Sequence, residues 1–156
     1  MFLGQDFDGG RESREAALQD LQPISAVVSP GCGGKKRILI ADDNAAMRRQ
    51  IRKILEFDGS MVVCTEASDG VEAVRKTRDC SPDLAVLDLL MPNLNGLEAA
   101  REMKKFIPAL PILLFTLHNS PQLEQEGRRA GIDAIVGKMQ GCAQLAKKIH
   151  SLLDEH

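Results

Sequence analysis

From Lys35 onward the sequence predicts an α/β fold, a doubly wound five-stranded parallel sheet with strands in the order 2-1-3-4-5. Two observations predict it. Five short apolar runs alternate with five segments whose apolar residues recur at helical spacing. The central runs are apolar at consecutive positions, as strands of a parallel sheet covered by helices on both faces must be. Right-handed crossovers then wind the chain to both sides of the sheet, and 2-1-3-4-5 is one of the two common strand orders for that arrangement.

Arg37–Ala41 (RILIA) is the first strand. Ala45–Phe57 follows as a helix. Met47, Ile51, Ile54 and Leu55 form its apolar stripe, and Arg48, Arg49, Arg52 and Lys53 read as its solvated face or as a docking surface. Met61–Thr65 (MVVCT) is the second strand. Asp69–Arg78 is the second helix, with Asp69 at its N-cap, where a short side-chain acceptor satisfies an orphan N–H. Asp83–Leu87 (DLAVL) is the third strand, and Asn95–Phe106 the third helix, capped by Asn95. Pro111–Phe115 (PILLF) leads into a helix over Pro121–Ala130, which Gly131 stops. Ala134–Val136 is the last strand. Cys142–Leu153 is the last helix, with Leu145, Ile149, Leu152 and Leu153 on one face.

Residues 1–35 have another composition. They are Gly-rich, carry Pro23 and Pro30, and run into Ser29-Pro30-Gly31-Cys32-Gly33-Gly34. This reads as a flexible N-terminal extension, with at most a marginal helix over Ser13–Leu21, ahead of a single domain at 36–156. The Gly31–Lys36 run lacks the first glycine and the Ser/Thr of a phosphate-binding loop, and it precedes the first strand.

Composition excludes several function classes. Among 156 residues there is no Trp or Tyr, so base stacking on nucleic acid has no support. The net charge of -2 gives no long-range attraction to DNA or anionic membranes. No apolar stretch approaches the roughly 20 residues of a membrane span, and no signal peptide is evident. The four cysteines form no C-x-x-C pair and read as reduced thiols. A cytoplasmic protein binding neither membrane nor nucleic acid is expected.

In doubly wound sheets ligands bind beyond the carboxyl ends of the strands. The residues there form a set. The first strand ends in Asp42-Asp43, the third in Asp88, the fourth in Thr116, and the fifth near Lys138. Clustered carboxylates raise one another's pKa values and are tolerable as anions when a cation joins them. Oxygen-only ligands suit Mg²⁺. A carboxylate can also act as a nucleophile and form an aspartyl phosphate. Phosphoryl transfer needs positive charge at the transferred oxygens, which Lys138 and a cation supply, with a hydrogen bond from Thr116. Taken singly, Asp42-Asp43 is a helix-start charge pair, Thr116 a cap and Lys138 a solvated lysine; together, at matching strand ends, they read as a site.

The runs Ile38–Asn44 (ILIADDN), Val86–Pro92 (VLDLLMP) with Gly96, Leu114–Thr116 (LFT) and Val136–Lys138 (VGK) resemble the receiver domain of bacterial response regulators, whose fold is flavodoxin-like (βα)5. The resemblance spans about residues 36–155. It implies a phosphoacceptor switch in a two-component phosphorelay, with Asp88 phosphorylated by a histidine kinase or phosphotransfer protein. Asp43 would bind Mg²⁺ directly, Asp42 mainly through water, and the Leu90 carbonyl would be a further ligand. Thr116 and Lys138, with N–H groups near Leu89 and Leu117, would hold the phosphoryl oxygens. Homodimerisation through the face of the fourth helix, fifth strand and fifth helix is a further implication. No enzymatic turnover is expected beyond self-phosphorylation and slow self-dephosphorylation, and Leu90 stands where an aspartyl-phosphate phosphatase needs its acid.

Three residues depart from the pattern. Ile135 replaces the usual Tyr or Phe of the fifth strand, Met139 the usual Pro after the lysine, and Leu117 a small residue. A non-proline cis bond costs about 3–4 kcal/mol, so Lys138–Met139 is expected to be trans. These departures give the alternative reading, an interaction module of receiver fold that does not respond to phosphorylation. His118 and His150 read as exposed helix histidines, His118 near the site rim.

Overall fold

A computed structural model of the protein describes residues 34–155. The expected extension at 1–35, with its candidate helix, lies almost wholly outside the described residues.

The elements follow in the order β1 (Lys36–Ala41), α1 (Ala45–Glu56), β2 (Met61–Ala67), α2 (Gly70–Cys80), β3 (Leu84–Leu87), α3 (Gly96–Phe106), β4 (Ile112–Thr116), α4 (Pro121–Ala130), β5 (Ala134–Gly137), a 3-10 turn (Lys138–Gln140) and α5 (Cys142–Glu155). All strand pairs are parallel and the order is 2-1-3-4-5, as the sequence predicts. No peptide bond among the described residues is cis, Lys138–Met139 included.

Four of the five helix starts among the described residues have a side-chain reason. Asn44, Asp69, Asn95 and Ser120 accept from the backbone N–H three residues on. Asn95 and Glu98 form a reciprocal capping box. At the far end of α4, Gly131 takes φ 94°, a left-handed conformation that suits glycine.

The alternation along the strands builds two cores. Ile38, Ile40, Leu84, Val86, Leu113 and Phe115 face α1 and α5, meeting Ile51, Leu55, Leu145, Ile149 and Leu152. Leu39, Ala41, Ala85, Leu87, Ile112 and Leu114 face α2, α3 and α4, meeting Ala73, Ala99, Ala100, Met103 and Leu123. Each strand therefore presents apolar side chains both ways, which is why the sequence shows continuous apolar runs there. Ile54, expected in the stripe of α1, is instead 39% exposed, and Leu153 is only half-buried. Ile51 and Leu55 already fill the contact of α1 with the sheet.

Strand β2 departs from its expected span. It runs on to Ala67, and its pairing with β1 shifts between Ile38 and Leu39, so that Ile38 faces Val63 but Leu39 faces Thr65. Cys64 is the extra residue of a β-bulge. Before it, Met61 and Val63 point to the α1/α5 core; beyond it, Ala67 points to the other. Such a one-residue slip exchanges the faces of a strand.

Candidate functional site

The carboxyl ends of β1, β3, β4 and β5 carry the polar residues singled out from the sequence. Backbone ladders set their spacing. Ala41 pairs with Leu87, and Asp88 N–H donates to the Ala41 carbonyl at 2.9 Å, so Asp42 and Asp88 leave adjacent strands on the same rung. Asp42 N–H donates to the Ala67 carbonyl at 3.0 Å, which fixes it from the β2 side. Both follow the α1/α5 face by the period of two: Ile38, Ile40, Asp42 and Leu84, Val86, Asp88.

Asp42, Asp88 and Thr116 are the polar residues buried at this rim, at 2%, 7% and 1% exposure. Asp43 is exposed beside them. One carboxylate oxygen from each of Asp42, Asp43 and Asp88 lies within 4.8 Å of the others. Lys138, the first residue of the 3-10 turn, reaches in from β5. Its Nζ donates to Asp42 Oδ2 at 2.8 Å and lies 3.3 Å from Asp88 Oδ2. Asp42 Oδ1 accepts from Asn44 N–H at 2.9 Å. The Thr116 hydroxyl oxygen accepts from His118 N–H at 3.3 Å.

The electrostatics follow from this packing. Burial raises the pKa of Asp88 above the usual carboxylate range, the Asp42 charge adds to it, and Lys138 pulls against both. Burial works to lower the pKa of Lys138, but the hydrogen bond and charge of Asp42, then those of Asp88, outweigh it, and the net shift is upward. Lys138 is thus held as a cation between two carboxylates.

Leu90 lies in the loop after β3 with its side chain 60% exposed. Leu117 and Met139, also at strand ends, are 60% and 86% exposed, and Ile135 is half-buried. A Cβ on Gly96 would stand 2.5 Å from the Asp88 carbonyl oxygen and 2.9 Å from Leu114 Cδ1, so the loop carrying Asp88 closes against a position where only glycine fits.

One contributor escapes the sequence reading. Arg48, assigned with its neighbours to a solvated face, donates from NH1 to the Asp42 carbonyl at 2.6 Å and from Nε to Glu66 Oε1 at 2.8 Å. Arg52 donates to the same carboxylate at 2.6 Å. Only Arg49 and Lys53 of that stripe are exposed. No local pattern in the sequence links Arg48 to Glu66, 18 residues away.

The profile of the response regulator receiver domain family matches residues 38–150. The chain belongs to the response regulator receiver domains. This receiver domain is 40% identical over 106 residues to a protein-glutamate methylesterase/protein-glutamine glutaminase of Pyrococcus abyssi, covering 68% of this chain and 27% of that protein. It is 38% identical over 117 residues to the response regulator MprA of Mycobacterium leprae, covering 75% of this chain and 50% of that one. The chain therefore spans about a quarter to a half of the curated relatives it matches. Among solved structures it is similar to a two-component response regulator of the LuxR family from Aurantimonas, with TM-score 0.75 and 32% identity, covering 78% of this chain and 87% of that one. A CheY-like receiver domain protein from Methanospirillum hungatei matches with TM-score 0.71 and 31% identity, covering 78% and 95%. Receiver domains are the switch modules of two-component signalling, and their family binds Mg²⁺ at an acidic pocket. No helix among the described residues is long and apolar enough to cross a membrane.

Proposed function

We propose that this receiver domain accepts a phosphoryl group on Asp88 from a histidine kinase or phosphotransfer protein, and so works as a phosphorylation-controlled switch. The observation that carries the reading is the Asp42–Lys138–Asp88 cluster: a buried carboxylate with raised pKa beside a fixed ammonium and two further carboxylates.

The donor set fits Mg²⁺, being all oxygen and anionic, with three carboxylates able to converge within 4.8 Å. Asp42, Asp43, Asp88 and the Leu90 carbonyl would hold the ion, and it would supply charge neutralisation for the phosphoryl oxygens. The chain does the rest. An Asp88 oxygen attacks the phosphorus as the donor's bond to it breaks. Lys138, already directed at Asp88, balances the charge on the transferred group. The Thr116 hydroxyl, whose oxygen accepts from His118 N–H, keeps its proton free to donate to a phosphoryl oxygen. Glu66 holds Arg48 against the Asp42 carbonyl, which steadies the start of the β1–α1 loop.

Output would pass to the face of α4, β5 and α5, which could also pair two copies. The phosphoryl group is expected to add once per chain from acetyl phosphate with Mg²⁺, and Asp88→Asn to abolish labelling. Labelling that survives that substitution refutes the assignment. Beryllofluoride with Mg²⁺ is expected to shift NMR resonances of α4 and β5. Binding that leaves them unmoved favours a module that does not signal through this face, where Ile135 stands in place of an aromatic.

A further inference from the structure

At the amino-terminal rim of the sheet, opposite the carboxylates, α3 and the end of α4 border a shallow, open hollow of about 660 Å³. Its walls carry Arg101, Lys104 and Lys105 from α3 and Arg128 and Arg129 from α4, against one acid, Asp133. The chain as a whole is weakly acidic, at net charge -2, so this clustering of five cations is a local feature.

The two lysines are occupied. Lys104 Nζ donates to the Leu110 carbonyl at 2.6 Å and lies 3.4 Å from Asp133, while Lys105 pairs with Glu102 at 2.9 Å. Asp133 also accepts from Ile112 N–H at 2.8 Å, so its charge is spent locally. Arg101, Arg128 and Arg129 make no ion pair or side-chain hydrogen bond among the described residues. A cation near a helix C-terminus is favoured by the helix dipole, which accounts for Lys104 and Lys105 in the last turn of α3 and Arg128 and Arg129 in that of α4. It does not account for Arg101, which lies a turn further back on α3, nor for three guanidinium groups without a partner among the described residues on the lining of one hollow. Guanidinium groups match phosphate oxygens in pairs, and an open hollow edged by them suits a charged, solvated ligand more than an apolar one.

We propose that this hollow binds a small soluble polyanion carrying two or more linked phosphate groups, held between Arg101 on one wall and Arg128 and Arg129 on the other. The site is separate from Asp88 and gives the domain a second input, read from a dissolved metabolite and not from a phosphoryl donor. Three anchoring cations favour a ligand with adjacent phosphates over orthophosphate, because each further phosphate brings more charge and its own oxygens to a separate guanidinium group.

The test is calorimetric titration of the full chain with inorganic tripolyphosphate in Mg²⁺-free buffer at low salt, with orthophosphate alongside. One-to-one binding of tripolyphosphate, tighter than orthophosphate, is expected. Arg101→Gln and the double variant Arg128→Gln/Arg129→Gln should each weaken it by about tenfold or more. Arg49→Gln/Lys53→Gln, which removes two exposed charges from α1, should leave it unchanged, as should Asp88→Asn, so that failure here is distinct from failure of the phosphoacceptor reading. Urea midpoints establish that the variants fold; if the double variant does not, Arg101→Gln decides. Absence of heat with the wild type, or equal weakening by the α1 variant, overturns the proposal. So does tighter binding of a DNA oligonucleotide or of phosphatidylglycerol vesicles with the same arginine dependence, which would assign the surface to a macromolecular polyanion.

Discussion

Lys138→Met tests how far one ammonium holds the carboxylate rim together when no metal is present. Its Nζ lies 2.8 Å from Asp42 and 3.3 Å from Asp88, and the three side chains are 10%, 3% and 10% exposed. Methionine keeps most of the stem's packing and deletes the charge, leaving two carboxylates facing each other. Removing one partner of a fully buried pair costs about 3–5 kcal/mol. Here exposed Asp43 opens the rim to solvent, and Asp88, whose pKa burial already raises, can relieve the repulsion by taking up a proton. A loss of about 2–3 kcal/mol is therefore expected. With a urea slope of about 2 kcal/mol per molar, the midpoint should fall by about 1–1.5 M in chelator-treated buffer. Adding Mg²⁺ should then raise the midpoint of the variant more than that of the wild type, because the ion meets three carboxylates with no ammonium competing for them. An unchanged or higher midpoint in chelator would refute the view that Lys138 stabilises the metal-free rim. A smaller response to Mg²⁺ in the variant would refute the assignment of the carboxylates to the ion.

Two further outcomes follow from the packing and the charges. Gly96→Ala should cost about 1–3 kcal/mol in urea unfolding, since the new Cβ meets the Asp88 carbonyl at 2.5 Å and Gly96 N–H is committed to the Leu89 carbonyl at 2.8 Å; wild-type stability would show that the β3–α3 loop yields freely. Glu72 is held down to a pKa of about 2, chiefly by the Ser68 N–H and then by Lys76. Its folded pKa lies below its ordinary value of 4.5, so its contribution is present above about pH 4.5 and is lost as pH falls towards 2. Glu72→Gln should remove about 1 kcal/mol near neutrality, a small figure for a partly solvated group, and flatten the loss of thermal midpoint across that acid window. An unchanged acid limb would refute it.

The succession of strands and helices was legible because its causes are local, and the strand order followed from the small set that right-handed crossovers allow. Apolar runs of strand length, helical periodicity and capping side chains such as Asp69 and Asn95 all act within a few residues. The rim was legible for a related reason. A parallel sheet places all its strand ends on one side, so Asp42, Asp43, Asp88, Thr116 and Lys138 could be gathered without knowing any contact. What the sequence hid depends on partners chosen in three dimensions. Ile54 has the spacing of a core residue, but the sheet surface below α1 is already filled by Ile51 and Leu55. Arg48 looks like its neighbours on the helix until Glu66 is brought against it. The alternation of MVVCT ends at Thr65, whereas the strand continues through its bulge to Ala67.

That bulge sets the phase of everything downstream on β2. Were Cys64 paired in regular alternation with Leu39, Glu66 would swing to the α2 side and Ala67 to the α1 side. Arg48 and Arg52 would lose their shared carboxylate, and the Asp42 carbonyl would lose the anchored arginine beneath it. Cys64 pairs with nothing on β1, and its half-buried thiol meets Cys80 instead. Deleting Cys64 would close the ladder and leave Thr65, Glu66 and Ala67 against the same β1 partners, whereas an uninterrupted alternation through Cys64 would turn over the end of an edge strand and reach the acidic rim through Arg48. The phase of one ladder, more than the chemistry of the bulged residue, ties the far edge of the sheet to the site.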